Sequence, residues 1–235
     1  KKPALFKSLK REQKLALKEQ YDLRNPELSP NGKKIAFTGN GEKLLVADVE
    51  DGKLSNVKTL LDDWHGADGV AWSPDSRYLA YHYSDLNFNR EVYIQDAEGK
   101  MEPVNVSMHP GSDYSPFWSP DGSKLGFVSN RNNRDADIWF VWLKEEDWLK
   151  SEKEREEGYY FEEPEEEEAD KDDKKKDLKE PEMEPVQIDF ENIYDRLQQV
   201  TSLNGNEGNL LISKDGETFY FTSYNVFETG ENIPS

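Results

Sequence analysis

Three histidines, His65, His82 and His109, are the only imidazoles in this 235-residue chain, and their neighbours decide what chemistry they could do. Hydrolysis by an activated serine needs a nucleophile on a sharp turn, a histidine base and a carboxylate to orient it. Ser112 lies close to His109 and Asp113, but neighbours within a Pro-Gly segment do not assemble such a relay alone, and no Gly-x-Ser-x-Gly elbow occurs. Asp62, Asp63, His65 and Asp68 carry oxygen and imidazole ligands without the glycine placement or ligand spacing of a calcium loop. Asp135 and Asp137 read as strand-end and turn residues. With no cysteine there is neither a disulfide framework nor a thiolate metal site. The expectation is a chain with no catalytic residue, no metal and no cofactor of its own. Recognition is the chemistry left open. Arg90, Arg131 and Arg134 stand among His65, Asp68, His109 and Asp113, and an arginine fork holds a peptide carboxylate at two points. The alternative is that these arginines pair with neighbouring aspartates and tie structural units together.

The positions of those residues follow from a repeated turn. Ser29-Pro30-Asn31-Gly32, Ser73-Pro74-Asp75-Ser76, Ser119-Pro120-Asp121-Gly122 and Ser213-Lys214-Asp215-Gly216 are copies of one pattern, the first three with serines 44 and 46 residues apart. Proline fixes φ, Asp or Asn bonds its own backbone and glycine accepts positive φ, so each copy predicts a hairpin. Six residues after each serine stand Ile35, Leu79, Leu125 and Phe219, and eight after stand Phe37, Tyr81, Phe127 and Phe221. Ala36, Ala80, Gly126 and Tyr220 lie between them. Large residues at every second position fit a strand buried on one face, and the mostly small intervening residues let a neighbouring sheet approach.

A third strand carries Leu44, Val46 and Asp48, then Val92, Ile94 and Asp96, then Ile138, Phe140 and Trp142. A weaker fourth strand is expected near residues 56–61 and 103–107. Units of four antiparallel strands repeating at this period predict an all-β protein, a β-propeller of which about four blades are covered, rather than a meandering sandwich. Trp72 and Trp118, directly before the turn serines, are expected to pack between blades. Trp139 and Trp142 face opposite sides of one strand, and one of them should pack against the next blade or the base of the insertion described below. The turns and the connections from third to fourth strands fall on one face of such a disc. The opposite rim gathers the loops that bear the arginines and histidines, where recognition tends to sit.

The interval from Ser119 to Ser213 is about twice the period without a further turn. It holds an insertion, residues 144–186, dense in charge: from Lys144 to Pro185 there are 20 acidic and 9 basic residues, so this stretch supplies −11 of the chain's −19. That composition predicts a solvated helix giving way to disorder, inside the connection between third and fourth strands of the third blade. Residues 187–190 and 196–202 are expected to form the outer strand of that blade. The organisation expected is therefore a linker or closing strands over 1–20, blades over 21–143, the insertion over 144–186, and the end of blade three with the start of blade four over 187–235. No apolar run approaches a membrane span, the acidic balance argues against nucleic acid, and an open strand edge would allow oligomers. Lys1-Lys2-Pro3, with neither an initiator Met nor a signal core, predicts a piece of something longer.

Tyr21-Asp22-Leu23-Arg24-Asn25-Pro26-Glu27-Leu28, then His109-Pro110-Gly111-Ser112-Asp113-Tyr114-Ser115-Pro116-Phe117-Trp118, then Ser129-Asn130-Arg131 leading to Asp137-Ile138-Trp139-Phe140-Val141-Trp142-Leu143 resemble the propeller region of tricorn-type serine peptidases. So does the run beginning Lys144-Glu145-Glu146-Asp147-Trp148 and returning at Ile188-Asp189-Phe190-Glu191. The repeated turn alone is shared with TolB-like proteins and with propellers of prolyl-oligopeptidase relatives. The resemblance covers about residues 21–224. It implies a noncatalytic propeller that screens or guides peptide or unfolded-protein substrates, or docks the PDZ and hydrolase domains of the same parent chain. None of the family's catalytic segments can be matched here. The competing expectations are a stand-alone TolB-like binding propeller and the gating propeller of a prolyl-oligopeptidase relative. The resemblance points to the periplasm or secretion, with the cytoplasm as the alternative.

Overall fold

The four repeated turns fold into one structure. In each, the N–H of the fourth residue donates to the serine carbonyl: Gly32 to Ser29 at 2.8 Å, Ser76 to Ser73 at 2.9 Å, Gly122 to Ser119 at 2.9 Å and Gly216 to Ser213 at 3.0 Å. The serine hydroxyl then accepts the N–H of the residue five further on, Lys34, Tyr78, Lys124 or Thr218, at 2.8 to 2.9 Å, at or just before the start of the next strand. The fourth residue is left-handed in every copy, with φ of 69, 64, 74 and 78°. Glycine takes that conformation freely. Ser76 is the exception, and its hydroxyl accepts the N–H of Asn31 in the neighbouring turn at 3.1 Å.

The computed structural model describes residues 22–132, 134–156 and 185–224. The linker or closing strands expected over 1–20, the continuation of the charged insertion over 157–184 and the remainder of the last blade over 225–235 lie outside the described residues. Strands β1 (Leu23–Leu28), β2 (Lys34–Gly39), β3 (Lys43–Glu50) and β4 (Lys53–Asp62) form the first antiparallel sheet. Strands β5 (Asp68–Trp72), β6 (Tyr78–Ser84), β7 (Arg90–Asp96) and β8 (Val104–Asn105) form the second. The third contains β9 (Asp113–Trp118), β10 (Lys124–Ser129), β11 (Asp137–Trp142) and β12 (Leu197–Gln199). Strands β13 (Asn206–Ile212) and β14 (Phe219–Tyr224) pair as the fourth. First strands contact first strands in chain order, β1 with β5, β5 with β9 and β9 with β13, so the sheets are successive blades of a β-propeller.

Packing between blades follows the residue sizes. Ala36 and Ala80 are fully buried, and a Cβ on Gly126 would lie 2.4 Å from Leu210 Cδ2 of the next blade. Apolar clusters fill the junctions, one around Leu44, Trp72 and Tyr81, another around Val92, Trp118 and Phe127, and a third around Ile138, Leu210 and Ile212. Each large buried side chain contributes roughly 1.5–3 kcal/mol. Trp72 and Trp118 pack as expected and also bolt the sheets: Trp72 Nε1 donates to the Glu27 carbonyl at 2.9 Å and Trp118 Nε1 to the Ala71 carbonyl at 3.1 Å. Glu27 and Ala71 stand two residues before their turn serines, so the bolt is itself a repeat.

Three details differ from the sequence pattern. The outer strand of blade two spans two residues, because Asn105 turns back to accept the N–H groups of Ser107 and Met108, each at 3.0 Å. Residues 187–190 and 200–202 are not strand: a 3₁₀ turn, Ile193–Arg196, precedes the short β12. Arg196 enforces this, since its buried guanidinium donates to the carbonyls of Trp142, Leu143, Asp189 and Glu191. Finally, Tyr220 occupies the position of Ala36, Ala80 and Gly126 yet is 59% exposed.

The insertion opens with α1 (Glu145–Glu156), whose first turn is acidic, as the positive end of a helix favours. It leaves on the turn-bearing face: Asp147 and Lys150 share a cavity of about 470 Å³ with Asp121, Lys124 and Trp142. Trp142 thus sits at the base of the insertion, with Lys124 Nζ 4.1 Å from its ring centroid.

Candidate functional site

Each first strand carries a bulge four residues before its turn serine, and there the chain turns left-handed: Asn25, Gly69, Ser115 and Asn209 have φ of 50, 59, 54 and 51°. These bulges aim the rim loops. Beside Gly69 lies His82, paired in register with Asp68 and packed edge-on to the Tyr114 ring at 6.3 Å. Burial lowers the His82 pKa to about 4, against the pull of Asp68, so the ring is neutral at pH 7.

The predicted rim residues are placed as follows. His65 Nδ1 is 2.9 Å from the Ser84 carbonyl and its ring stacks on Trp64 at 3.9 Å. Asp68 is exposed and accepts the N–H of Gly69 at 2.9 Å. Arg90 is exposed, with its guanidinium 5.8 Å from the Tyr114 ring centroid. Arg134 is exposed and left-handed, φ 69°. Arg131 is different. It donates to Asp113 at 2.9 Å, to Ser129 Oγ at 2.8 Å and to the Ser107 carbonyl at 3.3 Å, and stacks over Trp139 at 4.6 Å. Asp113 is fully buried, so this pair ties blade three together. His109 stands next to it. Its Nδ1 accepts the N–H of Gly111 at 2.9 Å, and burial together with Arg131 holds its pKa below the usual imidazole value.

Beneath this group lies a device that sequence reading missed. Glu91, buried at the start of β7, accepts the Ser107 hydroxyl at 2.5 Å and the His109 N–H at 3.2 Å. Ser107 in turn accepts the Val92 N–H at 3.0 Å. Burial, with Asp113 nearby, raises the Glu91 pKa. The same three positions recur one junction further on as Asp137, Thr201 and Glu207. Ile138 N–H donates to Thr201 Oγ1 at 2.8 Å, and Thr201 donates to Glu207 at 3.0 Å. Asp137 and Glu207 are both buried, one Asp137 oxygen has no hydrogen-bond partner, and burial with Glu207 alongside raises the Asp137 pKa to about 6. The available signal was the matching offset from the turn serines.

No serine or threonine hydroxyl pairs with a histidine base among the described residues: His65 and His109 each commit Nδ1 to the backbone, and His82 is buried, while the hydroxyls of Ser107 and Thr201 donate to buried carboxylates. Nor do three metal-ligating side chains converge there. No helix of the described residues is long and apolar enough to cross a membrane.

Repeated turns, consecutive blades and bolted junctions define a β-propeller segment. No family model matches the chain. It is 25% identical over 126 residues to a tricorn protease homolog of Saccharolobus solfataricus, covering 51% of this chain and 11% of that protein. It is 34% identical over 109 residues to a TolB homolog of Chlorobium chlorochromatii, covering 45% and 23%. The crystal structure of the tricorn protease superposes with a TM-score of 0.56 at 13% identity, over 80% of this chain and 18% of that one, a likeness of fold. The chain is a tricorn/TolB-like β-propeller, and it spans less than a quarter of the length of each of these relatives.

Proposed function

We infer that this chain is the noncatalytic propeller portion of a larger tricorn-like serine peptidase, and that its rim screens or guides extended peptides while the turn-bearing face meets neighbouring PDZ and hydrolase domains. The observation that carries the reading is the division among the rim arginines. Arg131 is consumed by Asp113, whereas Arg90 and Arg134 stay exposed. Two exposed forks at the rim, Arg90 opening β7 and Arg134 in the loop before β11, suit a peptide carboxylate. The similarity to tricorn protease homologs supports the parentage. The insertion, residues 144–186, is a spacer on the domain-facing side, and export to the periplasm is the compartment this reading carries.

The test is direct. The chain should bind unstructured peptides saturably in fluorescence anisotropy without cleaving them, and amidating the peptide C-terminus or making R90A/R134A should weaken binding about tenfold, the loss of one bidentate charge-assisted contact. Cleavage by the purified chain would sink the reading. A second reading, a self-contained TolB-like protein-binding propeller, draws on the 34% identity to a TolB homolog. A reading frame that stops at Ser235 would favour it, and one continuing into PDZ and peptidase segments would favour the first.

A further inference from the structure

On the same rim, at the entry to blade two, three large apolar side chains face solvent together: Trp64 is 61%, Leu86 81% and Phe88 69% exposed. The Trp64 and Phe88 rings meet edge to face at 6.2 Å, with His65 packed against both, 3.9 Å from Trp64 and 5.2 Å from Phe88. This is not a loose loop. His65 is anchored to the Ser84 carbonyl. Asp85 closes the Phe88 turn by accepting the N–H groups of Asn87 at 2.7 Å and Asn89 at 2.9 Å, while Phe88 N–H donates to the Asp85 carbonyl at 3.0 Å. The turn holds Phe88 at φ 63°, a conformation in which a bulky side chain is strained. A folded chain has no packing reason to hold a phenylalanine outward at such a cost, and backbone strain of this kind gathers at recognition sites.

We propose that Trp64, Leu86 and Phe88 form a docking point for an extended peptide segment in which an apolar side chain adjoins lysine or arginine. Charge selects that partner. Asp63 beside Trp64 and Asp85 within the Phe88 turn each spend one carboxylate oxygen on backbone N–H groups, and neither forms an ion pair among the described residues. Each carboxylate stands within three residues of an exposed aromatic ring, Asp63 by Trp64 and Asp85 by Phe88, and aromatic faces themselves attract ammonium and guanidinium groups. The chain as a whole carries −19. The apolar side chain lies across the paired rings and the cation reaches the bordering carboxylates. The inference rests on the peptide-screening reading and adds the class of peptide.

Phe88 supplies a clean test, because F88G suits the left-handed backbone and should leave thermal stability equal or higher. Anisotropy titrations would use a labelled peptide alternating Leu and Lys, a matched peptide with Glu for Lys, and another with Ser for Leu. Wild-type chain should prefer the first, F88G and W64A should each weaken it about tenfold, and D63N should lower its affinity with a shallower dependence on salt. Undiminished binding by F88G and W64A, or equal affinity for the acidic peptide, would overturn the docking point while leaving the rim reading intact. Failure of the wild-type chain to bind any of the three would overturn both. Light scattering is run alongside, and a dimer that F88G dissolves would replace the peptide with a second copy as the occupant.

Discussion

Asp137 and Glu207 place two buried carboxyl groups side by side between blades three and four, where the preceding junction has Arg131 against Asp113. Removing water from both makes the doubly charged state unfavourable, so Asp137 holds its proton to about pH 6 against an ordinary value of 3.8. Because the folded state binds that proton more tightly than the unfolded chain, the stabilisation from this site is complete below about pH 4 and is lost as pH rises through 6. D137N mimics the protonated form. It should raise the unfolding free energy on the order of 1–2 kcal/mol at pH 7.5 and lose that advantage at pH 4.5, a difference that urea titrations at the two pH values would read. Gly69 makes a second case. Its φ is 59°, and a Cβ would lie 2.8 Å from His82 Nδ1, a ring fixed inside the blade. G69A should therefore cost about 1–3 kcal/mol, whereas N25G at the matching bulge, also left-handed, should be neutral or mildly stabilising by the same measurement.

At the scale of the element, the tryptophan bolts convert a repeated residue into a repeated junction. The indole of Trp72 reaches the Glu27 carbonyl of blade one, and that of Trp118 reaches the Ala71 carbonyl of blade two. W118F keeps most of the apolar area but removes the indole donor from the part-buried Ala71 carbonyl, and should destabilise by about 1 kcal/mol. W118A adds a cavity and should cost roughly 3–5 kcal/mol, with both values read from denaturant midpoints at a common slope. These elements were legible in sequence because turn, strand and tryptophan all hold fixed offsets from one serine. The outer strands were legible in place, near 56–61, 103–107 and 196–202, but not in length, since a strand with a single partner takes its length from tertiary contacts. Arg196 gathering four carbonyls is a long-range event that no local pattern announces. The candidate rim was legible as a set of loops, yet whether an arginine is exposed or consumed depended on how deeply Asp113 is buried. Asp137 read as a strand-end acid and Glu91 was not singled out, and only their partners Ser107 and Thr201 distinguish them.

For the whole molecule, the unequal treatment of its two end blades sets its behaviour in solution. On blade one, the face turned from blade two buries Phe37, Leu45 and Ala47. Blade four instead shows Leu211, Tyr220 and Tyr224 to solvent on the face opposite the one that packs on Gly126, and Leu211 pairs in register with Tyr220. Tyr220 stands where the other blades place alanine or glycine, and those small residues are what allow the next sheet to approach. A neighbour of this face must therefore meet a tyrosine ring rather than interlock with a small side chain, which suits a different kind of contact from that between blades one to three. Strand β14 also has one partner strand among the described residues, and an edge with apolar neighbours is a template for association. The chain should then self-associate through this face as its concentration rises. Replacing Leu211 and Tyr220 together by lysine puts charge on the face without touching the junction with blade three, and multi-angle light scattering should find it monomeric at concentrations where the parent chain is larger. An unchanged mass for the double variant would place the contact elsewhere, with the aromatic rim at Trp64 and Phe88 the next surface to substitute.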